Sequence, residues 1–492
     1  MGYSLRESVD GNKYKNVYDR FAVQMPLAGL SLWGGAALAN EMHIGNYQVA
    51  EAFLAEVPKF TRKNPLEQSK AFYQYIQQNH SAAFAEKNLG RIVHVAGTNG
   101  KGSVCAFIQQ ICLESGLHVG MFTSPHLITT RERFCIDGEM ISEEVFLKAF
   151  CWLADRLGEY RAEQPQYQPS YFERLFFMGV YIFASAGVDI TILETGLGGR
   201  LDTTNVIQSP AVCVITEIGR DHMEYLGDTI EEIAGEKAGI IKPRIPVVFA
   251  DRKNKASVVL EKRVADCGCL CEKVSENDYK ICEIQKKSID FSVHSRYYDY
   301  GRLTFAGTAL YQAENAAIAV RTCEVLANQC KVTQINADTI RKGILHMRWR
   351  GRMDEVLPNV FIDGAHNEDG IAAFADSMNY SCNLESGAKC ILVFSAVNDK
   401  DYQSMAARLC AIPKITDFVL TYIPSERGTD PEALKQQFIT FTDKPIFVMP
   451  QITEAVAFAL REKGSQGVVY IVGSLYLAGI VEELLNNGML IE

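Results

Sequence analysis

Ile92-Val93-His94-Val95-Ala96-Gly97-Thr98-Asn99-Gly100-Lys101-Gly102-Ser103 is an apolar run that ends in glycines, a lysine and a hydroxyl. A helical pattern opens directly after it, at Val104-Cys105-Ala106-Phe107-Ile108. This order of strand, glycine-rich turn and helix suits a protein that must hold phosphate. Glycines let backbone N–H groups turn toward an anion, and the helix N-terminus adds the positive end of its dipole. Lys101 can neutralise charge on the outer phosphates, and Ser103 can ligate Mg²⁺. The match to the general phosphate loop is loose. That pattern sets its glycines further apart and follows Lys directly with Ser or Thr, whereas Gly102 here stands between Lys101 and Ser103. An ordinary glycine-rich turn is the alternative. The lysine, the serine and the flanking strand and helix weigh against it.

A chain of 492 residues exceeds what one hydrophobic core usually spans, so more than one domain is expected. Hydrophobic residues make up 48% and charged residues 22%, as in a soluble globular protein. The net charge of −10 argues against nucleic acid as the main partner, since phosphate backbones reward basic faces. The 14 cysteines are scattered and no secretory signal precedes them, so they read as reduced thiols of a cytoplasmic protein. Cys267-Gly268-Cys269-Leu270-Cys271 is dense but lacks the second ligand pair of a tetrahedral site. Ala28 to Ala39 is apolar and glycine-rich, yet falls short of the roughly 20 residues of a membrane span. Residues 1–41 read as an extension, with Met42 the favoured start. Gln48–Phe60 reads as an amphipathic helix presenting Val49, Ala52, Phe53 and Val57 on one face.

Beyond the loop, apolar runs alternate with amphipathic stretches. Strands are expected at Arg91–Ala96, His118–Thr123, Val188–Glu194, Val212–Glu217 and Pro246–Ala250, with helices at Val104–Ser115, Ser142–Tyr160, Tyr171–Ala186 and Thr229–Gly239. Continuous apolar strands separated by helices imply a mostly parallel sheet covered on both faces. Ser257–Phe305 is more polar and reads as short antiparallel strands at the edge of that domain, followed by a helix over Tyr311–Leu326. A second series places strands at Val360–Asp363, Cys390–Ala396, Phe418–Tyr422, Ile446–Met449 and Val468–Val472. Its helices include Gly370–Met378 and Pro431–Phe438, the latter capped by Asp430. The expected class is therefore α/β. Residues 42–347 form an N-terminal domain with the phosphate loop and a mostly parallel sheet, and residues 348–492 a smaller Rossmann-like α/β domain. Two such domains suggest an enzyme that closes over its nucleotide.

Several polar residues stand where ligands bind in open sheets, past the carboxyl ends of strands. Glu194 ends one strand and precedes the turn Thr195-Gly196-Leu197-Gly198-Gly199, a place from which a carboxylate can hold Mg²⁺. His222 follows the next strand and is a metal or phosphate candidate beside Ser103 and Glu194. Lys237 lies among Ala234, Ala238 and Ile241, a buried face where a lone ammonium is costly, so it needs a partner or a modification. Arg352 offers the fork geometry of a phosphate clamp. Asp363 ends a strand and can accept from a ribose or an amine, and His366 lies in the next turn.

Together these runs resemble the Mur ligase superfamily, and more closely its folate branch, the folylpolyglutamate synthase and dihydrofolate synthase family. The matching runs include His94–Ser103, Ser124-Pro125-His126-Leu127, Glu194–Asn205, Asp221-His222, Glu236–Ile240, Arg350–Arg352, Asp363–Asn367, Asp399-Lys400-Asp401 and Gly473-Ser474-Leu475-Tyr476. The resemblance implies a two-domain Mur-ligase-like fold in which Gly97, Thr98, Asn99, Gly100, Lys101, Gly102 and Ser103 bind the phosphates of ATP. It implies that Asn315, Arg352 and Asp363, with His366 close by, contact ATP from across the cleft. Ser103, Glu194 and His222 would hold Mg²⁺. Lys237 would be carbamylated and bind a second Mg²⁺. Ser124, Pro125 and His126 would border the folate, and Lys101, Lys237 and His222 would serve catalysis. The implied reaction is ATP-driven amide formation between L-glutamate and a folate or pteroate, through an acyl phosphate, by a monomer without nucleic-acid or membrane partners. One departure lies upstream, where Asn64-Pro65-Leu66-Glu67-Gln68 replaces the usual Gly-Leu-Glu-Arg-type segment. Another is Ser395-Ala396-Val397-Asn398, which displaces the usual glycine before the Asp-Lys-Asp run. The first belongs to the folate side and leaves dihydropteroate use open. Another Mur-type amino-acid ligase and a phosphate-loop kinase or NTPase are the competing readings. The former lacks a Ser-Pro-His-Leu run, and the latter gives no reason for the second domain.

Overall fold

Parallel strands dominate the first half of the chain because its apolar runs are long enough to be covered on both faces. The computed structural model describes residues 46–57, 65–80, 86–381 and 387–490; residues 1–41, the Ala28–Ala39 run and Met42 lie outside them. The strands are β1 (Arg91–Ala96), β2 (Val119–Phe122), β3 (Phe134–Ile136), β4 (Glu139–Met140), β5 (Ile190–Glu194), β6 (Val212–Ile215), β7 (Val247–Ala250) and β8 (Cys271–Val274). They form one sheet in the order β4-β3-β2-β5-β1-β6-β7-β8. β3 pairs antiparallel with both β2 and β4, and all other neighbours pair parallel. β1 is flanked by β5 and β6, so the turns that follow these three strands emerge side by side.

Helices α1 (Tyr47–Glu56), α2 (Leu66–Asn79), α4 (Glu143–Glu163) and α5 (Tyr171–Ala186) cover one face of this sheet with a core rich in phenylalanine and tyrosine. The other face is covered by α3 (Lys101–Glu114), α9 (Gln312–Asn328) and α10 (Ala337–His346), together with a three-stranded antiparallel sheet of β9 (Tyr279–Ile284), β10 (Ile289–His294) and β11 (Asp299–Phe305). The short α6 (Met223–Leu226) precedes α7 (Ile230–Ala238), and α7 packs with α8 (Lys255–Asp266) on the β6–β7 side. The second half builds its own sheet from β12 (Asp354–Leu357), β13 (Val360–Asp363), β14 (Cys390–Phe394), β15 (Asp417–Leu420), β16 (Ile446–Val448) and β17 (Val468–Val472), ordered β12-β13-β17-β14-β15-β16. Only β12 is antiparallel there. α11 (Glu368–Ser381), α12 (Tyr402–Cys410) and α13 (Pro431–Phe438) cover one face, and α14 (Ile452–Lys463) and α15 (Leu475–Asn486) the other.

Four points of the expected structure need correction. Residues 255–266 are a helix, not part of an antiparallel set. Asn254 caps it, and Ala256, Leu260 and Val264 recur at helical spacing on its buried side. β8 pairs parallel to β7 and so extends the main sheet, which leaves only β9–β11 antiparallel. The first helix ends at Glu56 and buries Tyr47, Ala50 and Leu54, while Ala52 is exposed. The phosphate-loop helix also begins three residues early, at Lys101, because Gly100 at φ 83 serves as its left-handed N-cap.

Candidate active site

Strand order brings the site together. The turn after β1 holds Gly97–Ser103, the turn after β5 starts at Glu194, and the segment after β6 holds Glu217, Asp221 and His222. The loop is pinned to its neighbours by backbone and hydroxyl groups. Thr98 N–H donates to Glu217 O (2.7 Å), Thr98 Oγ1 to Gly219 O (3.1 Å), and Thr216 Oγ1 to Asn99 O (2.6 Å). Lys101 curls back, its Nζ donating to Gly97 O (3.1 Å) and Thr98 O (3.0 Å). A Cβ on Gly100 would lie 2.3 Å from Asn315 Oδ1, so the close approach of α9 as well as the positive φ excludes a side chain there.

A cavity of about 980 Å³ lies between the two halves of the chain. From the first half its wall includes Gly97–Ser103, Ser124, Pro125, Glu194, His222, Lys237 and Asn315, and from the second half Arg352, Asp363 and His366. His126, expected beside them, is not on this wall: its Nδ1 accepts from Arg133 Nε (2.9 Å), which turns the ring toward the body of the domain. The volume is at the upper end of ligand pockets, consistent with more than one small substrate.

The polar groups of the wall are poised for a cationic partner. Ser103 is 1% exposed, and its Oγ accepts from Gln312 Nε2 (3.2 Å). Glu194 is 4% exposed and accepts Ser124 N–H (2.9 Å). Burial pushes its carboxyl up, against the pull of Lys101 and Arg352, so added positive charge would stabilise its ionised form. His222 keeps 37% of its side chain exposed, and desolvation with the nearby cations Lys400 and Lys101 pushes it down to about 4 despite Asp221. Its imidazole is therefore neutral at pH 7, the state that ligates metals. Hydroxyl, carboxylate and neutral imidazole fit a Mg²⁺ site. Among the described residues no ready-formed cluster of three or more His, Cys, Asp or Glu side chains stands around a single point.

Lys237 is 4% exposed on α7 and donates to Gly97 O (2.7 Å). No carboxylate pairs with it among the described residues. Burial first, and Lys101 second, push its ammonium down to about 7. Asp363 is held by three donors: Tyr311 OH (2.7 Å), Met353 N–H (2.9 Å) and Ala365 N–H (2.8 Å). Few of its lone pairs remain for a ligand. His366 Nδ1 bonds to Gly364 O (2.7 Å).

The halves are clasped at the cavity rim through Asp221, Lys400 and Asn367, to which the sequence assigns no role, together with His366 and Asn99. Asp221 pairs with Lys400 (2.5 Å), accepts from Asn367 (3.3 Å) and stands 3.8 Å from His366 Nε2. Asn367 Nδ2 also donates to Asn99 Oδ1 of the phosphate loop (3.1 Å). Burial alone would raise Asp221, but His222, Lys400 and His366 together hold it well below the carboxylate range. Tyr311 and Gln312 are similar: nothing in their local sequence signals that they hold Asp363 and Ser103.

The profile of the Mur ligase middle domain matches residues 177–323, and that of the Mur ligase glutamate ligase domain matches residues 349–475. The dihydrofolate synthase/folylpolyglutamate synthase of Bacillus subtilis is 36% identical over 409 residues, which span 80% of this chain and 90% of that protein. The chain belongs to the folylpolyglutamate synthase and dihydrofolate synthase family. The folylpolyglutamate synthase of Lacticaseibacillus casei is 34% identical over 406 residues, spanning 81% of this chain and 91% of the relative. The solved Mycobacterium tuberculosis folylpolyglutamate synthase, complexed with ADP, superposes with a TM-score of 0.77 at 27% identity, over 90% of this chain and 98% of that one. Family membership agrees with the α/β architecture of two packed sheets. It also places the chain among ATP-using ligases, not among kinases or NTPase switches.

Proposed function

We propose that this enzyme joins the amino group of L-glutamate to the glutamyl carboxylate of a tetrahydrofolate at the expense of ATP. The observation that carries this reading is one cavity in which a phosphate-binding turn, a buried strand-end carboxylate and a buried lysine face Arg352, Asp363 and His366 of the other half. The substrate carboxylate takes the γ-phosphoryl group of ATP and becomes an acyl phosphate, releasing ADP. The glutamate amine then attacks the acyl carbon, and phosphate leaves as the amide forms. Lys101 and Arg352 offset charge on the transferring group. Closure of the two halves keeps water from the acyl phosphate. Ser103, Glu194 and His222 would hold Mg²⁺, which when bound supplies counter-charge to the phosphoryl group.

Lys237 fits a carbamate. With its pKa near 7 a large fraction is neutral amine, which can add to CO₂ and lose one proton. The product is an anion suited to a second Mg²⁺ and ends the isolation of a buried ammonium. Both walls of the cavity come from one chain, which supports a monomer as the acting unit. No described helix is long and apolar enough to cross a membrane. A cytoplasmic setting agrees with the thirteen free cysteines among the described residues.

ADP release by the purified chain with Mg²⁺-ATP and L-glutamate tests the reading. Release that depends on tetrahydrofolate is expected. Release with dihydropteroate as well makes the enzyme bifunctional, and release that needs neither pterin nor glutamate overturns the ligase assignment. Lys237→Ala should abolish ligation and recover part of it with added small carboxylates. Full activity in the plain variant would remove the carbamate. Glu194→Ala should shift the Mg²⁺ titration to higher concentration, and an unchanged titration takes Glu194 out of the metal site.

A further inference from the structure

The segment that joins the two halves, Trp349-Arg350-Gly351-Arg352, touches the site at successive residues. Trp349 lies against Gly102, where a Cβ would sit 3.0 Å from its indole, and Arg352 lines the cavity. Arg350 faces elsewhere. One side of its guanidinium stands 3.7 Å from Glu132, and the other pairs with Glu482 on α15. Glu132 is the organiser of the loop after Ser124-Pro125. Its carboxylate accepts the N–H groups of Leu127 (2.8 Å), Ile128 (3.1 Å) and Thr129 (3.2 Å). Glu482 is 5% exposed with Oε1 buried and unpartnered, so Arg350 is its compensating charge.

Two further contacts dock the same loop on the second half. The Leu127 side chain packs against the core cluster that α14 and α15 form on their sheet. The Leu127 carbonyl passes so close to α15 that a Cβ on Gly479 would lie 2.1 Å from its oxygen. The loop carrying Ser124 and Pro125 thus belongs by sequence to the first half, which also holds its ends through Glu194, Tyr47 and Glu51, while its middle at Leu127 packs on the second.

We propose that Arg350 is a positioning residue for the acyl substrate: by bridging Glu132 to Glu482 it fixes the 124–129 loop at the spacing set by the closed halves. This rests on the reading that the Ser124–Pro125 wall takes the folate. Loss of the bridge releases that wall and leaves the phosphate turn in place.

Arg350→Met, Arg350→Lys, Glu482→Gln and Gly479→Ala test it by steady-state kinetics and by amide hydrogen exchange of the free enzyme. Arg350→Met should raise the KM for tetrahydrofolate about tenfold and change the KM for ATP by less than about twofold, the pattern of a lost ground-state contact on one substrate only. Arg350→Lys should restore part of the loss, and Gly479→Ala should reproduce it by pushing Leu127 away. The double variant Arg350→Met/Glu482→Gln should fall short of the sum of its parts. Exchange at Leu127, Ile128 and Thr129 should quicken in Arg350→Met and stay unchanged along α3. The proposal is overturned if both KM values rise together, if the double variant is additive, or if exchange at 127–129 does not move. Should the wild type show no tetrahydrofolate-dependent turnover, the ligase reading fails, while the exchange measurement still decides the bridge.

Discussion

His94 shows how one residue can be legible in type and illegible in role. It lies on the central strand with no exposed surface, and its Nε2 is 2.8 Å from Thr204 Oγ1. The Thr204 hydroxyl spends its proton on Asp202 Oδ1 (2.6 Å), so the imidazole must donate through Nε2, which leaves Nδ1 bare and buried. Burial, then Lys242, push it down from 6.5 to about 3. As pH falls through that window the unfolded chain takes up a proton that the folded chain refuses, so stability declines with acid. His94→Gln should flatten the fall of the urea midpoint between pH 6.5 and 4; an unchanged slope would assign the acid sensitivity elsewhere. Glu194 and Lys237 could be singled out from sequence because their local context was anomalous, a carboxylate ending an apolar strand and an ammonium on a small apolar helix face. Asp221 and Lys400 carry no such anomaly. They matter because residues 179 positions apart meet, and only tertiary structure shows that.

At the scale of elements, the best-read segments are those whose pattern and caps agree. Tyr171–Ala186 matched residue for residue: Ser170 and Glu173 form a capping box and Gly187 closes the helix at φ 67. Lys255–Asp266 was misread because its exposed side is rich in charge, which masked the four-residue recurrence of Ala256, Leu260 and Val264. β8 falls where strands are expected, but its parallel pairing with β7 is not legible in Glu272 and Lys273; Glu272 is buried because Arg296 and Arg321 pair with it. α7 offers a direct test of capping near the site. Thr229 accepts from Glu232 N–H, and the Glu232 carboxylate returns to Thr229 N–H (3.0 Å). Thr229→Ala should cost about 1 kcal/mol of local stability. It should appear as faster amide exchange along Ile230–Ala238, the helix that ends with Lys237, and unchanged exchange in that helix would mean that packing on β6 and β7 alone holds it.

At the scale of the whole molecule, each sheet has a core of its own, and the halves meet through polar contacts and through Leu127 and Tyr311 of the first half, which pack on the cores of the second, so their relation can change without either sheet unfolding. The clasp of Asp221 with Lys400 is the most buried ion pair between the halves among the described residues, the side chains being 10% and 8% exposed, and His366 and Asn367 stand beside it. Asp221 and His366 also line the cavity, so the contacts that join the halves here are made by residues of the site wall itself and by Lys400 and Asn367 beside them. Asp221→Asn removes the charge and leaves Lys400 buried without compensation, a change that costs roughly 3–5 kcal/mol where no relaxation is possible. Here relaxation is possible, because opening the halves hydrates Lys400. The variant should therefore open instead of unfolding. X-ray scattering with bound nucleotide analogue should give a larger radius of gyration than wild type, thermal unfolding should shift little, and turnover should fall by at least about tenfold as water reaches the acyl phosphate. A variant that unfolds at markedly lower temperature with an unchanged radius would mean the clasp stabilises the fold and not its closure. The two outcomes separate because each sheet has its own core, so loss of closure need not unfold either sheet and the radius and the unfolding temperature report on different events.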